Sequence, residues 1–136
     1  MTNEDFIRDT LLAIGVVPEG VDATPEQAQT ALRAMNELAR EWADAGVSIN
    51  WSTQTDPALP CMLIGGELAA ARYALALRLC PLYGRDPPLA IVALADTAYT
   101  RLLRTQLNRA LEPVDPPVLP AAEGGYSGYS IVTDTF

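Results

Sequence analysis

Arg101 and Arg104 stand three residues apart, with Thr97 one turn before them and Asn108 one turn after, so a helix would gather them on one polar and basic face. The chemistry of that face is recognition. Guanidinium groups grip carboxylates or phosphates through paired hydrogen bonds. All nine basic residues are arginine, which reflects a GC-rich genome more often than selection for such contacts. Catalytic chemistry has less to work with. The chain has no histidine, which removes the commonest general base and metal ligand, and with it Ser-His-Asp and Cys-His machinery. Cys61 and Cys80 stand alone without a CxxC spacing, so two reduced core thiols are expected, with no metal site and no cofactor. A glycosidase needs only two carboxylates at a suitable separation, and Glu41 and Glu67 are the pair to test first. Nothing in their spacing selects them, and the chain reads as a non-enzyme.

The charge balance bounds the partners. Of the formal net charge of −8, residues 1–62 carry −7 (ten acids, three arginines), residues 63–111 carry +3 (three acids, six arginines), and residues 112–136 carry four acids and no base. Such a chain repels a free duplex unless its arginines gather on one face, so no sequence-specific DNA reading is expected. The acidic start MTNEDF lacks the features of a signal peptide, and no uncharged apolar run is long enough to span a bilayer. Synthesis and retention in the cytosol, with no membrane partner, are the expectation.

The elements that must position these residues are helices. Thr24 to Gly46 is the most completely specified: Thr24 and Gln27 form a capping box, Pro25 suits the first helical position, and Gly46 supplies the stop. Between them Ala28, Ala31, Leu32, Met35, Leu38, Ala39, Trp42 and Ala45 recur at helical spacing, with Met35, Leu38 and Trp42 as core anchors. A shorter helix is expected over Asn3–Ile14, capped by Thr2 or Asn3. A third starts between Pro60 and Glu67 and runs to Cys80, with Leu68, Ala71, Leu75 and Leu79 on one face and enough further apolar width to be buried on more than one side. A fourth runs from Pro87-Pro88 to Leu111 on a stripe of Ile91, Leu94, Ala95, Ala98, Leu102 and Ala110, broadened by Val92, Tyr99 and Leu107. Between the second and third, Val47, Ile49 and Trp51 alternate with polar residues. That segment is either a strand seeking a mate in another chain or a loop whose Trp51 covers the core.

At Glu112 the sequence changes. EPVDPPVLPAAEGGYSGYSIVTDTF is proline-rich and then aromatic, which favours an extended arm. Tyr126, Tyr129, Ile131, Val132 and Phe136 make it apolar enough to dock on a neighbouring subunit, the alternative being a loose terminus without a partner. The expected organisation is a helical domain over 1–111 and an extended C-terminal arm over 112–136.

ALRAMNELAREWADAG at 31–46, the VSINW that follows, ELAAARYALALRLCPLYG at 67–84 and the Ala95–Tyr99 stretch together resemble the small head-to-tail adaptors of tailed phages. The likeness is greatest to the packaged DNA stabilisation proteins, or tail accessory factors, of short-tailed phages, and it covers residues 2–111. The resemblance implies an all-α fold, a four-helix adaptor bundle with an extended C-terminal arm. It implies a virion protein at the capsid vertex: a homo-oligomeric ring, commonly a dodecamer, docked under the portal protein. Such a ring extends the DNA channel, retains packaged DNA and offers the attachment site for a tail protein, whether nozzle or tail tube. DNA passes through it without sequence-specific binding. Within that frame Trp51, Arg101, Arg104, Tyr126, Tyr129 and Phe136 are candidate subunit or portal contacts. The basic face then meets the channel lumen, the acidic surface of an adjacent subunit or solvent; a sliding channel should not grip phosphates, which favours the subunit over the lumen. An adaptor with added cell-wall hydrolase activity, a long-tailed phage adaptor and a non-viral helical interaction protein are the rival readings.

Overall fold

The computed structural model describes residues 1–111. Within them the chain forms α1 (Asn3–Ala13), α2 (Pro25–Asp44), α3 (Gly66–Leu79), a single 3₁₀ turn at Pro81–Tyr83, and α4 (Leu89–Leu111). The fold is all-α, with no strand among the described residues.

Local chemistry sets the helix boundaries. In α2 the Thr24 hydroxyl accepts from the Gln27 N–H at 3.2 Å while the Gln27 side chain accepts from the Thr24 N–H at 2.9 Å, closing the capping box ahead of Pro25. Gly46, at φ +87°, takes the left-handed turn that ends the helix. Thr2 and Asp5 make the same reciprocal box on α1. Two further α1 amide donors, those of Asn3 and Glu4, reach the carbonyls of Leu59 (2.9 Å) and Pro57 (2.8 Å). The loop before α3 thereby satisfies groups that a helix start leaves orphaned.

α3 is the hub, packed against α1, α2 and α4. Ala70, Ala71 and Ala76 bring the neighbouring helices close, and Leu75 and Leu79 fill the centre together with Phe6, Leu11, Leu32 and Met35, all fully buried. Leu38 and Trp42 continue the α2 face into this core. α4 lies at the edge. It rests mainly on α3, with Tyr99 reaching the Trp42 ring of α2 at a centroid distance of 5.2 Å.

This edge position corrects the expected α4 stripe. Ile91, Ala95 and Leu102 are buried, but Val92, Leu94, Leu107 and Ala110 are exposed. A helix with one principal partner covers one side only, and α4 carries apolar residues around more of its circumference than α3 can reach.

The alternating run 47–55 is a loop whose mates are side chains. The Gln106 amide accepts from the Ser48 N–H at 3.1 Å and donates to the Ser48 carbonyl. The Asn36 amide does the same for Gln54, accepting from its N–H (3.0 Å) and donating to its carbonyl (2.7 Å). Two side-chain amides thus replace the ladder of a partner strand.

Candidate functional site

The C-terminal half of α4 brings three exposed arginines together on one element. Arg101, Arg104 and Arg109 are exposed, and none has a carboxylate within salt-bridge distance among the described residues. Arg33, Arg40 and Arg85 are likewise exposed with no carboxylate within salt-bridge distance among the described residues, whereas the other three arginines are engaged. Arg8 lies near Asp5, Asp9 and Asp22; Arg72 near Asp9; and Arg78 near Glu37 and Glu41.

At about 100° per residue, α4 turns two distinct surfaces outward. One edge faces a groove of about 400 Å³ at the start of α3, bordered by Ile64, Gly65 and Glu67 opposite Arg101, Gln106 and Arg109. The opposite edge carries Leu103, Leu107 and Leu111, exposed by 40%, 57% and 71%, with Arg104 beside them. Leu89, at 86%, and Val92 extend the apolar strip toward the helix start. A basic band therefore runs between a groove and a leucine strip. That combination suits a partner that is both acidic and apolar.

The remaining candidates fall elsewhere. Trp51 is half-buried against the core, and its indole N–H donates to Asn36 Oδ1 at 2.9 Å, so its single polar atom is used within the copy. Tyr126, Tyr129 and Phe136 lie outside the described residues. Glu41 forms a 2.6 Å contact with Arg78, whose guanidinium hydrogen bond and charge hold the carboxyl below its ordinary range. A general acid requires a shift in the opposite direction. Glu67 is occupied too: its Oε1 accepts the Asn50 N–H at 3.0 Å, and the groove it lines does not include Glu41. Cys80 is buried, and burial together with the charge of Asp86 pushes its thiol pKa up, the condition of an inert core thiol.

Two residues that organise this region carry little signal in the sequence. Asn36 binds Trp51 and both backbone groups of Gln54, and Gln106 ties α4 to the loop at Ser48. The one sequence signal for Asn36 is a short amide flanking the buried Leu32–Met35 stripe. Gln106 had none, because its partner is 58 positions away.

Among the described residues no cluster of three metal-ligating side chains occurs, and no helix is long and apolar enough to cross a membrane. The sequence matches no protein-family model, and no curated protein is significantly similar to it.

Proposed function

We propose that the chain is a structural connector subunit of a tailed-phage particle, which assembles as a ring beneath the portal protein, prolongs the DNA channel and receives the tail. The observation that carries this reading is the incomplete burial of α4. Its strip of Leu103, Leu107 and Leu111 faces solvent although the helix already has a covered side on α3. A subunit that leaves this much aliphatic surface outside its own core, beside Arg104, which has no carboxylate within salt-bridge distance among the described residues, is suited to completion by other chains. The likeness of residues 31–46 and 67–84 to the head-to-tail adaptors supplies the particular assembly. Closed rings need heterologous contacts, and a chain with an acidic front and a basic middle provides complementary faces for them.

In this reading the protein is not an enzyme, DNA passes without sequence readout, and the partners are the portal, a tail protein and further copies of the chain. The test is light scattering of the purified full-length chain with and without the portal protein encoded in the same genome. The expected result is a portal complex carrying a ring of added subunits. If the two proteins migrate independently at low and moderate salt, the connector reading fails. A peptidoglycan-degradation assay tests the non-enzymatic part: activity abolished by both Glu41→Gln and Glu67→Gln would overturn it.

A further inference from the structure

The basic band and leucine strip of α4 call for a particular occupant. We propose that they form the docking surface for residues 112–136 of a second copy of this chain. This rests on the proposed function only in requiring more than one copy, and it is tested without any portal protein.

Charge selects the segment. Glu112, Asp115, Glu123 and Asp134 have no basic residue within their own 25-residue stretch, while Arg101, Arg104 and Arg109 have no carboxylate among the described residues. The acidic α1–α2 front of a neighbour competes with only part of its charge, because Asp5, Asp9, Glu37 and Glu41 already lie beside Arg8, Arg72 and Arg78, while Glu4, Glu19, Glu26, Asp44 and Asp56 have no such neighbour among the described residues. Apolar content selects the segment again. Tyr126, Tyr129, Ile131, Val132 and Phe136 offer aromatic and branched side chains to an exposed aliphatic strip, and Glu123 and Asp134 bracket most of them. A phosphate backbone would satisfy the arginines and leave the leucines uncovered.

Length favours a second copy over the chain's own α4. Pro113, Pro116, Pro117 and Pro120 restrict φ, and nine residues in an extended polyproline conformation would span about 28 Å at ~3.1 Å per residue. Arg101 to Leu111 spans only about 15 Å of helix. Laid back along its own α4, a leg of that length would end near Val92, beyond Arg101 and Arg104, before Tyr126 is met. A folded domain of this size has a radius of gyration of about 13 Å, so the same reach is sufficient to bridge to an adjoining copy.

The test uses the full-length protein with the photo-crosslinking residue p-benzoylphenylalanine at position 107 (Leu107→p-benzoylphenylalanine), in an equimolar mixture of unlabelled and ¹⁵N-labelled chains at hundreds of micromolar. Irradiation is expected to join position 107 to peptides from 112–136, with mixed-isotope pairs present. Arg101→Glu with Arg104→Glu is expected to lower that yield by about fivefold, the effect of losing two exposed ion pairs, while the double lysine variant keeps most of it. Both arginines are exposed, and an unchanged circular dichroism spectrum shows that the fold is intact. Cross-links confined to same-isotope pairs would place the segment on its own α4 and overturn the proposal. Cross-links to residues 1–62, no cross-link to 112–136, or a yield indifferent to charge reversal would overturn it equally.

Discussion

At the scale of single residues, Asn36 does the most to hold the loop in place. Its amide makes three hydrogen bonds, to the Trp51 indole, the Gln54 N–H and the Gln54 carbonyl. Truncation strands these partly buried groups, and Asn36→Ala is expected to lower the urea-unfolding free energy by about 2 kcal/mol and to shift Trp51 emission to the red. An unchanged midpoint and spectrum would mean that the clamp carries no energy. Asp5 gives a pH signature. The Thr2 N–H and hydroxyl both donate to its carboxylate at 3.0 Å, and these bonds hold its pKa below the ordinary value. A carboxylate with a lowered folded pKa stabilises the native state above its unfolded pKa and loses that contribution as pH falls toward the folded one. Wild type should therefore melt above Asp5→Asn at pH 7, and the gap should close as pH falls below about 4. A gap independent of pH would exclude charge as the source.

At the scale of elements, α3 and α4 illustrate how the same residue types acquire different weights. Leu75 is fully buried at the helix hub, whereas Leu107 is 57% exposed on the edge helix. Leu75→Ala should cost about 3 kcal/mol or more through transfer and cavity terms. Leu107→Ala should stay within about 0.5 kcal/mol in the isolated subunit, with its penalty appearing in assembly. Parallel denaturation of the two variants decides this; equal losses would mean that α4 is covered within one copy. The helix boundaries were legible in the sequence because caps and stops are local: Thr24, Gln27 and Gly46 act within a few residues of one another. The status of 47–55 was not legible. Alternation signals extended backbone equally whether the mate is a strand or, as here, side chains from α2 and α4.

At the scale of the whole molecule, association of the full-length chain is expected to weaken as ionic strength rises, since exposed charges are screened beyond about 10 Å at 0.1 M salt. Light scattering across a salt series reads this directly, and salt-independent association would assign the interface to its leucines alone. Composition and periodicity by themselves determined that the protein is helical, where α2 starts and stops, and that its charge divides into an acidic front, a basic middle and an acidic end. These are properties of single residues and of neighbours within a few turns. Only the tertiary structure decided that α3 is the hub, that α4 has one principal partner and a bare leucine strip, and that Arg101, Arg104 and Arg109 have no carboxylate among the described residues while Arg78 has two. Burial and ion pairing depend on which distant segments meet, and the period of one helix fixes its apolar faces without fixing what covers them.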